Sequence, residues 1–274
     1  MSRIARRFAD LRAERRGGLI PFIEAFDPDP DTSMALLRGM PAAGADLIEI
    51  GMPFTDPMAD GPTIQAAGRR ALRAGAKLSQ TLGMVRDFRR ENESIPIVLM
   101  GYLNPILTYG VEQFCADASA SGVDGLIVVD LPPEEADLLL PHARAQLIDL
   151  IRLVAPTTND ARLPHVLAGS SGFVYYVSIA GITGTRTASA EHLAAAIPRI
   201  RRFTSLPIAV GFGVRSPEQA AVAVRAADAA VVASALIDTL AASLDGDGRA
   251  GSDTVRRVLD QVRALATGVS RART

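Results

Sequence analysis

A single cysteine, Cys115, among 274 residues leaves this chain without an intrachain disulfide or a cysteine-built metal cluster, and it suits a reducing cytoplasm. Histidine is also scarce. His142, His165 and His192 are scattered and lack metal-ligand spacing. No apolar run approaches the roughly 20 residues needed to span a bilayer. An excess of one charge is missing too: the net charge is −1, so there is no electrostatic footprint for nucleic acid. No Gly-x-Gly-x-x-Gly follows the first apolar run, which argues against a dinucleotide-binding sheet. No Ser-His-Asp or Cys-His arrangement is visible. What is present is an ordinary globular composition, 48% hydrophobic and 22% charged.

Short apolar runs recur along the chain at Leu19–Ala25, Asp46–Gly51, Pro96–Tyr102, Gly125–Val129, Asp149–Ala155, Phe173–Ser178, Pro207–Gly211 and Ala229–Ala233. Most are rich in Val, Ile or Leu and too short for helices. Helical stretches lie between most of them: Ser33–Ala43, Gly61–Ala74, Leu78–Asn92, Gly110–Ser121, Glu134–Ala145, Ala190–Phe203 and Pro217–Ala226. Strands alternating with helices imply parallel βαβ units, and near-continuous apolar strands imply a sheet buried on both faces. Eight repeats favour a closed (β/α)8 TIM barrel of the α/β class over an open sheet, and the length suits one such domain. Its core is expected at about 19–240. At the N-terminus, Ile4, Phe8 and Leu11 recur at helical spacing and predict an extra amphipathic helix packed under the barrel; Asp10 and Glu14 argue against a transit peptide. Val255, Val258, Leu259, Val262 and Leu265 predict a C-terminal helical tail.

In such a barrel, chemistry sits at the C-terminal ends of the strands. The second run carries one carboxylate, Glu49, inside Leu47–Ile50. A lone acid in an apolar strand is costly to ionise, so it is paired, protonated or working. The structural alternative is a buried acid paired with an arginine or a backbone N–H. The following loop holds Asp56 and Asp60 among Met52, Phe54, Met58 and the prolines Pro53, Pro57 and Pro62, which reads as an active-site loop rather than a passive connector. Tyr102 and Asn104 follow the third strand and Asp130 follows the fourth. Tyr175 and Tyr176 are adjacent, so only one of them faces the barrel centre.

The last three loops are glycine-rich: Ser178–Arg186, Gly211-Phe212-Gly213 and Ala233-Ser234. Glycines let backbone N–H groups approach an anion, and helix N-termini favour negative charge. One such loop reads as a tight turn. Three clustered at one barrel mouth predict a phosphate site, with Ser234 opening a short extra helix.

The stretch IEIGMPFTDPMADGPTIQ (48–65) resembles the central signature of the tryptophan synthase alpha chain family. The resemblance continues in MGYLNPILTYG (100–110), VDGLIVVDLPPEE (123–135), GFVYYVSIAGITGTR (172–186) and LPIAVGFGVRSPEQA (206–220), and it spans roughly Ile20 to Asp238. It implies a lyase of L-tryptophan biosynthesis that splits indole-3-glycerol phosphate by a retro-aldol reaction into indole and glyceraldehyde 3-phosphate. Glu49 would be the general acid/base and Asp60 the partner of the indole N–H. Phe22, Met100, Ile127, Leu153 and Phe212 would surround the indole ring, with Tyr102, Tyr175 and Thr183 bordering the substrate. Backbone N–H groups at Gly184, Gly213, Ala233 and Ser234, with the Ser234 hydroxyl, would hold the phosphate. The Gly181–Arg186 segment would be a lid.

The resemblance also implies that this chain needs no metal or organic cofactor. Pyridoxal phosphate would belong to a beta-chain partner in an alpha2-beta2 assembly, met by Pro53, Asp56, Asn104, Asp130 and Pro132. Ala233 and Phe26 stand where the family usually has glycine, Val129 replaces a common proline, and Glu24 is unusual. A stand-alone indole-releasing lyase and a weakly active regulatory partner of a beta chain are the alternatives. Another phosphate-binding barrel, such as an isomerase, would leave the Pro-Phe-Thr-Asp-Pro loop unexplained.

Overall fold

The computed structural model describes residues 1–177, 190–211 and 213–272. Among these, nine parallel strands form one sheet: β1 (Gly18–Glu24), β2 (Ile48–Gly51), β3 (Ile97–Gly101), β4 (Gly125–Val128), β5 (Asp149–Leu150), β6 (Arg152–Val154), β7 (Val174–Val177), β8 (Ile208–Gly211) and β9 (Ala229–Val232). Their spatial order is β5-β4-β3-β2-β1-β9-β8-β7-β6. The two edges, β5 and β6, are halves of one chain segment. Asp149 and Leu150 pair with β4, whereas Arg152 to Val154 pair with β7. Between them the Ile151 N–H donates to the Leu126 carbonyl at 2.9 Å. The fifth apolar run is therefore one expected strand in two pieces, and the ring is that of a (β/α)8 barrel. The break falls where this segment turns from one neighbour to the other.

Alternation along the strands builds two apolar layers. On β1, Leu19 and Ile23 face the surrounding helices, while Ile20 joins Leu47, Val98, Ile127, Ile151, Phe173 and Tyr175 inside the barrel. The helices are α1 (Arg3–Ala13), α2 (Pro30–Gly39), α3 (Pro62–Arg73), α4 (Leu78–Arg89), α5 (Leu103–Tyr109), α6 (Val111–Ser121), α7 (Leu140–Ala145), α8 (Leu163–Leu167), α9 (Ala190–Arg201), α10 (Pro217–Ala226), α11 (Ser234–Ala241) and α12 (Thr254–Arg271). Helix α10 opens on a full capping box, with Ser216 and Gln219 satisfying each other's backbone N–H groups ahead of Pro217. Helix α2 starts earlier than its apolar spacing suggests, because Asp29 caps it and Pro30 suits the first turn.

Two expectations about helices need correction. The stretch expected as one helix over Glu134–Ala145 is a 3-10 turn, Pro133–Leu138, followed by α7. Pro141 has no N–H to give and fits only a first turn, so the helix restarts there. The short helices α5 and α8 were not expected; each carries a proline in its first turn, at Pro105 and Pro164, in a stretch too short to show a period.

Helix α1 closes the N-terminal end of the barrel. Ile4, Phe8 and Leu11 are buried in the interior layer, and the Phe8 ring lies 5.7 Å from that of Phe173. The acids at this end are buried and answered by arginines. Asp46 accepts from Arg7, from Arg16 and from the Leu19 N–H; Asp124 accepts from Arg3, Arg89 and the Ile97 N–H. Emptying the space under the barrel has a definite cost. Phe8→Ala is expected to destabilise the chain by roughly 3 kcal/mol, read as a shift in urea midpoint. A shift worth less than about 0.5 kcal/mol, the scale of a surface change, would mean that α1 is not part of the folded core.

Candidate active site

Glu49 is 1% exposed and sits on β2 in register with Phe22 of β1 and Val98 of β3. Among the described residues, neither of its carboxylate oxygens has a hydrogen-bond partner. No arginine or backbone N–H of the described residues answers it, so the structural pairing weighed from the sequence is not found among them. Burial alone pushes its pKa up to about 8, because the apolar interior disfavours the charged form. Tyr175, also inside the barrel, has its hydroxyl pushed well up by burial and then by the Glu49 charge, which puts the two groups within electrostatic reach. Tyr176 points the other way, into the layer under the helices, and its hydroxyl meets His192 at 2.7 Å.

Asp60 lies at the end of the β2–α3 loop, half-buried. Burial pushes its pKa up to about 6, and a hydrogen bond from Tyr102 opposes that rise. The Tyr102 hydroxyl also accepts the Ala59 N–H at 3.0 Å, and its ring lies 5.5 Å from that of Phe54. One side chain from the third strand's loop therefore braces the loop that carries Asp60.

Phe22 packs with Ile64, Ala67 and Ile237, and with Met100 and Ala233. Ile127 and Tyr175 belong to the interior layer, against which Met100 and Leu153 are packed. The structure thus gathers Phe22, Met100, Ile127, Leu153 and Tyr175 around the mouth that Glu49 faces. It adds Ile64 of α3 and Ile237 of α11 as walls. The signal for Ile64 was the helical spacing of Ile64, Ala67, Gly68 and Ala71, directly after the acid loop. A β-carbon at Gly211 would overlap the Tyr175 ring, so that glycine makes room for the tyrosine.

Ser234 opens α11, and Ala233 is its N-cap with φ −118° and ψ −79°. That conformation does not require glycine. Gly213, by contrast, has φ +79°, a left-handed geometry that glycine adopts without strain. The first N–H groups of α11 have no intrahelical acceptor and point out of its start, as an anion site needs. Thr183, Gly184 and Phe212, and the Gly181–Arg186 segment expected as a lid, lie outside the described residues.

Of the residues expected at a partner face, Asp56, Asn104 and Pro132 are exposed, and Pro53 and Asp130 are half-buried. Asp130 has an internal task that its position in sequence did not show: its Oδ1 accepts the Leu103 N–H at 2.8 Å, capping α5. Arg152 was also not foreseen. It is buried, and its Nη1 donates to the Leu131 carbonyl at 3.1 Å, holding the loop after β4. Close to the mouth, buried Asp27 receives two hydrogen bonds from Arg70 of α3, at 2.7 and 2.8 Å. No group of His, Cys, Asp and Glu suited to a metal is present among the described residues, and none of their helices is long and apolar enough to cross a membrane.

A sequence profile of the tryptophan synthase alpha chain matches residues 8–269. The chain belongs to the tryptophan synthase alpha chain family. It is similar to the alpha chain of Acidiphilium cryptum, 74% identical over 269 residues that cover 98% of each chain. It is also similar to that of Granulibacter bethesdensis, 71% identical over all of this chain and 98% of the relative. Among solved structures, the alpha subunit from Legionella pneumophila superposes with a TM-score of 0.89 at 35% identity, covering 98% of each chain. A structure titled tryptophan synthase from M. tuberculosis, aminoacrylate-bound form, superposes at 0.86 with 34% identity, covering 98% of this chain and 100% of that one. As an alpha chain, it is a lyase of tryptophan biosynthesis that cleaves indole-3-glycerol phosphate, and its homologues imply a beta-chain partner.

The unpartnered acid makes a thermodynamic prediction. The folded Glu49 ionises near 8, the unfolded one near the ordinary 4.5. The unfolded chain therefore sheds this proton first, and stability is lost as pH rises from the unfolded value through the folded one. Glu49→Gln removes that loss. Relative to wild type, it is expected to gain stability by a few kcal/mol between pH 4 and pH 8, as judged by urea unfolding at the two values. A stability difference between the two proteins that does not change with pH would show that Glu49 is charged in the fold.

Proposed function

We propose that Glu49 and Asp60 carry out the cleavage in this chain, Glu49 as general acid/base and Asp60 as partner of the indole N–H. The observation that supports this best is the Glu49 carboxyl, buried inside the apolar strand β2 without a partner among the described residues and facing a mouth lined by aromatic and aliphatic side chains. A carboxyl kept neutral at pH 7 can give a proton and take one back. Protonated Glu49 delivers its proton to indole C3, forming an indolenine with positive charge at the ring nitrogen. The resulting carboxylate accepts the proton of the side-chain hydroxyl as the C–C bond breaks. The bond's electrons return to the ring and the hydroxyl carbon becomes the aldehyde. Glu49 ends as it began, so the proton balance closes. Ionised Asp60 beside the ring nitrogen stabilises the charge that develops there.

Phe22, Met100, Ile127, Leu153 and Phe212 form the ring pocket, with Tyr102, Tyr175 and Thr183 bordering the substrate. The start of α11 with Gly213, Ala233, Ser234 and Gly184 holds the phosphate. The chain works as one domain in the cytoplasm and in an alpha2-beta2 assembly, with pyridoxal phosphate confined to the beta chain. Pro53, Asp56, Asn104, Asp130 and Pro132 meet that partner, and the three exposed members of this set suit such a role.

The two acids must begin in opposite states, so kcat/KM for indole release is expected to rise with pH through about 6, as Asp60 ionises, and to fall through about 8, as Glu49 does. Glu49→Gln should abolish indole formation while the circular dichroism spectrum is kept. Comparable turnover in that variant would remove Glu49 from the chemistry. Strong stimulation by an added beta chain would mark the synthase subunit, whereas full activity unchanged by it would mark a stand-alone lyase.

Ala233→Gly is expected to keep or lower the KM for indole-3-glycerol phosphate, because the β-carbon stands where a backbone N–H approaches the anion. A rise of tenfold or more would mean that the surrounding loop is built around alanine.

A further inference from the structure

Glu24 closes β1, two residues beyond Phe22, so its side chain leaves the strand on the same face. It stands in register with Gly51 of β2, one layer above the Phe22–Glu49 pair. A β-carbon at Gly51 would overlap both the Glu24 carboxyl and the Phe22 ring. On the other side, Glu24 Oε1 lies 4.0 Å from where a β-carbon of Gly68, on α3, would stand. Gly51 therefore makes room for this carboxyl, which is 5% exposed, and Gly68 of α3 stands at ordinary contact distance from it.

The charged groups around Glu24 are mostly acids. Asp60 approaches from the β2–α3 loop and Asp27 from the loop after β1, and both act on it electrostatically. Glu49 of β2 lies a layer below. Arg70 of α3 is committed to Asp27 through two hydrogen bonds. Asp238 of α11 is tied to Thr63 and Arg215. No ion pair reaches Glu24 among the described residues.

We propose that Glu24 is a positioning residue for the cleavage, a third carboxyl of the mouth whose retained proton leaves Asp60 as the negative charge facing the ring nitrogen. Neighbouring carboxyls without a cation do not ionise together. Asp60 is the one that takes the charge, because it is the less buried and the Tyr102 hydroxyl stabilises its anion. Glu24 is held neutral first by burial, then by the charge on Asp60, then by Asp27. The role rests on Asp60 serving the ring nitrogen, as proposed above.

The test is a pH titration of the full-length chain labelled with carboxyl-13C glutamate, alongside indole release by the same preparations. Two glutamate carboxyls are expected to remain protonated at pH 7. E49Q removes one signal and E24Q removes the other. In D60N the Glu24 midpoint should fall by about one pH unit or more, since the repelling charge is gone. A carboxyl out of reach of Asp60 would show no such coupling. A Glu24 carboxyl ionised at pH 7, or a midpoint identical in D60N, overturns the proposal; both are read without relying on any variant of Glu24 to fold. In activity, Y102F should move the acid limb of kcat/KM to higher pH, because losing the hydroxyl that stabilises the Asp60 anion passes part of the charge to Glu24, and adding E24Q should reverse part of that shift, since a glutamine cannot take the charge. The absence of any reversal would overturn the proposal. A D60N chain that cleaves as well as wild type would instead overturn the Asp60 assignment, and this role for Glu24 with it, even with the coupling present.

Discussion

Holding the Glu49 carboxyl inside apolar β2, with no partner among the described residues, is the constraint on which this molecule turns. An isolated acid there destabilises the fold at neutral pH, and other contacts must offset it. They are found away from the mouth. The interior layer is filled from below by Ile4, Phe8 and Leu11, and the acids at the base are each answered by arginines and backbone N–H groups. The two ends of the barrel thus follow opposite electrostatic rules. At the base, Asp46 and Asp124 are paired from several sides. At the mouth, Glu49 and Glu24 are buried acids without a paired cation among the described residues, which is how a fold keeps protons available near neutrality.

Much of this was legible in the chain. Barrel strands are buried on both faces, so they read as short apolar runs, and all eight runs fell on strands. Capped helices were legible where the cap is local, as at Ser216-Pro217-Glu218. What was illegible depends on neighbours distant in sequence. Nothing in Asp149–Ala155 says that its first half pairs with β4 and its second with β7. Nothing near Asp130 says that its carboxylate caps a helix starting 27 residues earlier.

The site was legible to a similar depth and for a similar reason. Glu49 and the aromatic and aliphatic wall lie on the strands and Asp60 in the loop after β2, elements that the strand–helix rhythm locates. The brace between Tyr102 and Asp60, the Arg70 clamp on Asp27 and the place made for Glu24 by Gly51 are relations between elements, and no local pattern encodes them. Phe26 illustrates the limit from the other side. It has φ +70°, a backbone state that favours glycine, and only its company explains why a large side chain is kept there: it is buried in the layer under the helices, and its N–H donates to Ser33.

Helix α1 has a consequence for traffic. A tube stoppered at its base has one doorway. With the cleavage placed at Glu49 and Asp60 as proposed, substrate, indole and the three-carbon product share the mouth where those acids stand, and so does anything that docks over it. A partner seated there cannot be a bystander: it either blocks the exit or becomes the corridor.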